Sequence, residues 1–511
     1  MLSVNNLTAV HKDTGYTLFS NLSFSVQKGD KLAVIGAEGN GKTSLLDIIC
    51  RPDDAARWLT WSGNVTYHPW KLGYLAQACP PSLLQKSAAE WMLPLAGDAD
   101  LYRLIAEYSI STDVLFAPRT LATLSGGERT KLRLIRLLVH PPDLLVLDEP
   151  TNDLDLESII TLERFIQNSQ AAILYVSHDE TLLDRTANRI LHLEQIWRRT
   201  TSRVTLSGLG FRDYMETFTS SIARQNQQAA KEEEIYQEKL KRYRRIESRV
   251  EHEQAVISRQ DPSGARLLKK KMHEVKSLGR RFEREHARQT QRTDREDEVN
   301  FFLEDLPGVP SGREILRLFL PELHIGDRVL SRNVRLDITG PEHMAITGSN
   351  GSGKTTLLRT IQRTIETQRG LSAFYLPQNA NELFENDMPA IDFLAPDGKT
   401  SSKEAASALL GSLRFSRDEM TSLTSTLSGG QKIKLAFAKL RLTRPNVLLL
   451  DEPSRHLSPL SNPAFRASVA AFKGCVISVS HDRAFLAEVC TRVLRLTPDG
   501  LVDEDPALYQ R

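Results

Sequence analysis

Two stretches of this chain have the residue types and spacing needed to hold a nucleotide's phosphates. "LAVIGAEGNGKTSLL" spans 32–46 and "MAITGSNGSGKTTLL" spans 344–358. Each runs an apolar strand into G-x-x-x-x-G-K-T and then into an apolar helix start, the context a phosphate-binding loop requires. Gly36, Gly39 and Gly41, and in the second copy Gly348, Gly351 and Gly353, let backbone N–H groups close around phosphate oxygens. Asn40, Ser44, Asn350 and Thr356 complete the two cradles, and the helix N-terminus adds partial positive charge. Lys42 and Lys354 are expected to reach the β- and γ-phosphates, while Thr43 and Thr355 offer a hydroxyl to Mg²⁺.

A second pair, "LLVLDEP" at 144–150 and "LLLDEP" at 448–453, puts carboxylates at the end of an apolar strand. Asp148 and Asp451 suit Mg²⁺ held through water. Glu149 and Glu452 suit polarising the water that attacks a γ-phosphate. In a third pair, "LSGGE" at 124–128 and "LSGGQ" at 427–431, Ser125, Gly126 and Gly127 and then Ser428, Gly429 and Gly430 open a helix as an anion nest. One such tripeptide is weak evidence; two, each about 20 residues before Asp-Glu, are strong. "VSHD" recurs at 176–179 and 479–482, so His178 and His481 fit a γ-phosphate contact. Gln77 in "YLAQ" and Gln378 in "YLPQ" can bridge Mg²⁺ and the attacking water.

These residues need a scaffold, and their spacing describes one. Ser125 to Ser428, Asp148 to Asp451 and His178 to His481 are each offset by 303 residues, while Gln77 to Gln378 is offset by 301 and Lys42 to Lys354 by 312. A constant register over most of two regions is the mark of a duplicated unit. The fold class expected is α/β: two P-loop nucleotide-binding domains joined by a long α-helical hairpin. The expected boundaries are 1–212, 213–300 and 301–511.

With these motifs in order, twice, the chain resembles the ATP-binding-cassette superfamily. The resemblance implies Walker A, Q-loop, signature, Walker B and switch-histidine elements at the positions above, with ATP and Mg²⁺ as cofactors. It also implies two cassettes closing head-to-tail, so that Lys42 and Glu149 face Ser428, and Lys354 and Glu452 face Ser125. The copies depart from one another after Walker B, where "TNDLD" (151–155) corresponds to "SRHLS" (454–458). Asp155 fits the family's D-loop and Ser458 does not, which predicts unequal turnover at the two sites. Tyr16 is the candidate for stacking on adenine in the first copy; the second offers His324 or Ile325.

The connector carries most of the charge imbalance. The 511 residues have a net charge of +2, 40% hydrophobic and 25% charged residues. Between Lys239 and Arg284, however, 15 Lys or Arg stand against six Asp or Glu. Apolar residues at helical spacing (Tyr236, Leu240, Tyr243, Val250, Ile257, then Leu268, Met272, Val275, Leu278, Phe282) predict a helical hairpin with its turn at "QDPSGA", 260–265. Concentrated basic charge on a projecting hairpin suits phosphate backbones. Arg259, Arg266, Lys269, Lys270, Lys271 and Lys276 are the candidate RNA contacts. No run of apolar residues is long enough to span a membrane, and Cys50, Cys79, Cys475 and Cys490 form no paired spacing. A secretion signal is not evident, and the compartment expected is the cytoplasm.

Two fused cassettes with such a linker resemble the ABC-F proteins, and "GLGFRDY" (208–214) resembles the element leading into their linker. That resemblance implies a 70S ribosome partner, with rRNA and P-site tRNA near the linker tip, in a monomer whose cassettes pair intramolecularly. Only 48 residues separate Gln77 from Ser125 and 50 separate Gln378 from Ser428, which leaves no room for an inserted arm. The chain therefore looks more like the antibiotic-resistance branch, which acts by ribosome protection. The alternatives are an ABC-F translation factor relieving stalled ribosomes and, remotely, a fused ATPase subunit of a membrane transporter. DNA is not an expected partner, since the chain has neither the zinc module nor the very long coiled coil of chromosome-organising relatives.

Overall fold

The computed structural model describes every residue except 112–113, 116–118, 197–200, 257–261, 287–302, 385, 414, 456 and 510–511. The chain forms two compact units, Met1–Phe211 with Glu296–Arg511, and Arg212–Arg295.

The first unit contains both cassettes. In the N-terminal one, β1 (Leu2–His11), β2 (Thr17–Val26) and β4 (Leu59–Thr66) make an antiparallel sheet in the order β2-β1-β4. Strands β3 (Lys31–Ile35), β5 (Leu72–Leu75), β6 (Leu144–Asp148), β7 (Ala172–Val176), β8 (Arg189–Ile196) and β9 (Thr201–Ser207) make the main sheet, in the order β5-β6-β7-β3-β8-β9. All its neighbours pair in parallel except β8 and β9. The C-terminal cassette repeats this plan. Its antiparallel pair is β10 (Glu314–Ile325) and β11 (Arg328–Thr339). Its main sheet takes β12 (His343–Thr347), β13 (Ala373–Leu376), β14 (Val447–Asp451), β15 (Cys475–Val479), β16 (Arg492–Thr497) and β17 (Gly500–Glu504), in the order β13-β14-β15-β12-β16-β17.

The central strands read as nearly continuous apolar runs, KLAVI, LLVLD and AILYV, and every residue in them is buried, one face of the sheet packing on the antiparallel sheet and the helix Lys42–Cys50. Each phosphate loop leaves β3, which lies between β7 and β8, or β12, which lies between β15 and β16. Asp148 ends β6, and His178 lies just beyond β7. The topology therefore brings residues more than 100 positions apart to one carboxyl edge, the crevice where open α/β sheets bind ligands.

The second unit is the helical hairpin. Helix Phe211–Val256 has 46 residues, about 69 Å at 1.5 Å per residue, and Pro262–His286 is its shorter arm. Val250, Met272 and Val275 are buried together, with Tyr243 packed on them. Of the turn expected at 260–265, residues 262–265 are helical, the second helix starting at Pro262. Proline is well suited to a helix's first position, where its missing N–H costs nothing. Gln260, Ile257, Arg259 and the acidic "DREDE" at 294–298 fall outside the described residues.

Candidate functional site

Both phosphate loops follow the geometry their glycines permit. Gly36 and Gly348 have φ of 149° and 139°. A Cβ on Gly36 would run into the Leu193 carbonyl, and one on Gly348 would lie 2.8 Å from that of Leu496, so only glycine fits this close approach. Lys42 Nζ donates to the carbonyls of Gly36 (2.8 Å) and Ala37 (3.0 Å), and Lys354 Nζ to those of Gly348 (2.8 Å) and Ser349 (2.9 Å). Each ammonium is thus folded over its own loop.

At the ends of β6 and β14 the expected carboxylates meet the expected hydroxyls. Thr43 Oγ1 lies 3.3 Å from Asp148 Oδ1, and Thr355 hydrogen-bonds Asp451. Burial, with Glu149 beside it, pushes the Asp148 carboxyl up to about 7. Asp148 Oδ2 is buried without a hydrogen-bond partner among the described residues. A buried carboxylate oxygen without a donor, next to a threonine hydroxyl, fits a hydrated divalent cation such as Mg²⁺.

Glu149 and Glu452 both adopt left-handed backbone, φ 48° and 49°. This is a costly conformation for glutamate that is tolerated where it aims a functional group. The two differ in how they meet their histidines. His178 Nε2 lies 3.0 Å from Glu149 Oε1, whereas His481 Nε2 lies 3.7 Å from Glu452 Oε1. Burial raises Glu149, but His178, with Lys42 behind it, more than offsets this and holds the carboxyl below its usual range. Burial pushes Glu452 up to about 7, with Lys354 offsetting only part of the effect. Burial, reinforced by Lys354, pushes His481 down to about 3, so its ring is neutral.

The cassettes meet head-to-tail. A cavity of about 340 Å³ is lined on one side by Lys354, Thr355, Gln378, Asp451, Glu452 and His481 of the second cassette. On the other side it is lined by Thr151–Leu154, His178 and Asp179 of the first. Asn350 in the second phosphate loop donates to the Asp153 carbonyl and lies against Gly127 of the first signature. Arg455 Nη2 pairs with Asp153 Oδ1 at 2.7 Å. Reciprocally, Glu38 in the first phosphate loop accepts from the Gly430 N–H of the second signature. The signature serines cap their own helices: the Ser125 side chain accepts from Glu128 N, and that of Ser428 from Gln431 N.

Other expected residues are placed less directly. Gln77 is exposed just after β5, unlike Gln378. Ile325 lines the cavity, while His324 pairs with Glu322 at 3.2 Å. Tyr16 packs against the first cassette's core. Asp155 caps the helix Leu156–Asn168 and pairs with Lys131 at 2.8 Å; the Ser458 side chain lies 3.1 Å from that of Ser461. Sequence reasoning passed over Glu38, Asp153 and Arg455. Their signal lay in the differences between aligned copies: Glu38 against Asn350, and Arg455 against Asn152.

Charged side chains also bridge the cassettes away from the loops. Arg466 reaches Glu180 at 2.7 Å and Arg483 reaches Glu163 at 2.8 Å. Within the cassettes, Arg185 pairs with Glu163 and Arg466 with Glu488, both at 2.8 Å. At the repeat offset of 303, each of these positions carries opposite charge in the two copies: Glu163 and Arg466, Glu180 and Arg483, Arg185 and Glu488.

The comparisons agree with this geometry. ABC transporter F family member 5 of Arabidopsis thaliana is 27% identical, over 96% of this chain and 74% of its own. The putative ATP-binding protein YdiF of Bacillus subtilis is 29% identical, over 97% and 80%. An archaeal ribosome recycling factor, aABCE1, solved with a stalk protein, superimposes with a TM-score of 0.60 at 15% identity, over 98% of this chain and 90% of its own. No helix among the described residues is long and apolar enough to cross a membrane. The ABC transporter family model matches residues 19–152 and 331–455, one match for each phosphate loop and its Asp-Glu strand, so the chain belongs to the ABC transporter family and is a tandem-cassette ATP hydrolase.

Proposed function

We propose that this ATPase is an ABC-F protein that binds the 70S ribosome in its ATP-closed state. In this reading the hairpin is carried towards tRNA and the peptidyl-transferase region. The observation that carries the proposal is the hairpin's charge distribution. Val250, Met272 and Val275 of its seam are buried and the rest of the described seam is half-buried, while Arg266, Lys269, Lys270, Lys271 and Lys276 are all exposed. A solvated helix face needs no such excess of one sign, whereas a phosphate backbone attracts it. Relatives named as F-family members over nearly the whole chain support the assignment, as does a fold shared with a protein solved as ribosome-bound ABCE1.

In this mechanism, ATP at both interfaces holds the cassettes together because each γ-phosphate is gripped from two sides. Its loss removes the grip that favours closure. Mg²⁺ held near Thr43 and Asp148, and near Thr355 and Asp451, would neutralise the phosphates. Glu149 and Glu452 orient the attacking water, with His178 and His481 beside them. The finer reading is antibiotic resistance by ribosome protection, with the hairpin tip dislodging a drug. Ribosome pelleting with ATP tests the proposal, comparing wild type, Glu149→Gln/Glu452→Gln and a chain with 255–272 replaced by a Gly-Ser turn. The double variant is expected to stay on 70S particles, and failure of both full-length forms to pellet would refute ribosome binding. Drug susceptibility of cells carrying the shortened chain then decides between resistance and relief of stalled ribosomes.

A further inference from the structure

The two phosphate loops differ at one position that touches the opposite cassette, and the difference is one of charge. Asn350 is neutral, and it donates its amide to the Asp153 carbonyl. Its counterpart Glu38 presents a carboxylate to the N-terminus of the 15-residue helix Gly429–Thr443 and accepts from Gly430 N–H. The carboxylate lies over both signature glycines: a Cβ on Gly429 would sit 2.9 Å from Glu38 Oε1, and one on Gly430 2.7 Å from Oε2. The absence of a Cβ at both glycines leaves room for this approach.

We propose that Glu38 is an internal anion that occupies the signature of the second cassette and thereby sets the nucleotide response of the first ATP site. A helix N-terminus with free N–H groups favours negative charge. The head-to-tail arrangement directs these same N–H groups at the terminal phosphate of a nucleotide held by Lys42. A carboxylate and a γ-phosphate cannot share them. ATP must therefore expel Glu38 before the first interface closes on it, losing a charge-assisted hydrogen bond and opposing like charges. The second site meets no such competitor from its own loop. Glu38 thus holds the first interface together without nucleotide and makes that site the weaker of the two for ATP, so that the second site fills first. This inference rests on the assignment of both loops as ATP sites.

The test is calorimetric titration of the full chain with Mg²⁺-ATP, in a Glu149→Gln/Glu452→Gln background that blocks hydrolysis. The parent is expected to show two resolved affinities. Adding Glu38→Asn, which copies the residue of the other loop, should tighten the weaker one on the order of tenfold. Adding Asn350→Glu should weaken the tighter one. A second measurement needs no nucleotide: amide exchange of residues 427–433 should speed up in Glu38→Asn. Unchanged ATP affinities in Glu38→Asn, or unchanged exchange at the signature, would overturn the proposal. A parent that binds no ATP would instead bring down the assignment of the loops, a distinct failure.

Discussion

At the scale of single residues, Glu149 and Glu452 carry the hydrolysis. Replacing either carboxylate by an amide keeps its shape and removes its ability to take a proton. Each single Gln variant should lose a large part of the turnover, and the double variant should fall about 10²-fold or more. The two single variants should leave unequal residual rates, because His178 approaches its glutamate to 3.0 Å and His481 only to 3.7 Å; phosphate release under saturating ATP measures this. Asp155 makes a different prediction, about stability. Burial raises its carboxyl, but hydrogen bonds from Lys131 and Ser158 more than offset that and hold it below its ordinary value. A depressed carboxyl stabilises the fold above its unfolded pKa, and that contribution disappears as pH falls below about 4. Asp155→Asn, which keeps a capping side chain but removes the charge facing Lys131, should therefore destabilise the protein at neutral pH and flatten the acid limb of a stability–pH curve. Denaturant unfolding at several pH values checks it.

At the scale of elements, each strand and loop of the site has a signal in the chain. The apolar runs of β3, β6, β7 and their counterparts, each followed by its motif, place the phosphate loops and Asp-Glu pairs where the sheets have them. The hairpin's seam is legible as well, since Val250, Met272 and Val275 recur at helical spacing. Its turn is harder to place because Pro262 and Gly264 read as breakers, whereas proline sits comfortably at the first position of the helix Pro262–His286. The Glu38–Gly430 and Asp153–Arg455 pairs have only the fainter signal of positions that differ between the copies, and each joins residues some 300 to 400 positions apart. The exposed basic face of Pro262–His286 gives a prediction of its own. Replacing Lys269, Lys270 and Lys271 by Glu should weaken ribosome association and lower its salt dependence, by roughly one unit of slope for each phosphate no longer neutralised. Pelleting across a potassium chloride series measures that slope, and an unchanged slope would refute phosphate binding by these lysines.

At the scale of the whole molecule, the two cassettes form one compact unit held partly by charge. Arg466 and Arg483 are almost fully buried, 4% and 5% exposed, against Glu180 and Glu163. Breaking such a pair strands a buried charge, so Arg466→Glu should destabilise the protein by about 3–5 kcal/mol, and adding Glu180→Arg should recover part of the loss. Thermal unfolding of the single and double variants reads this out. The same inversion of charge bears on ancestry. Two identical cassettes related by a twofold axis would set glutamate against glutamate, or arginine against arginine, at both positions. The pairing seen here therefore had to arise after the gene duplicated, as the copies drifted apart in opposite directions. The halves are now mutual complements, and if expressed as separate chains each should seek the other and reject its own kind.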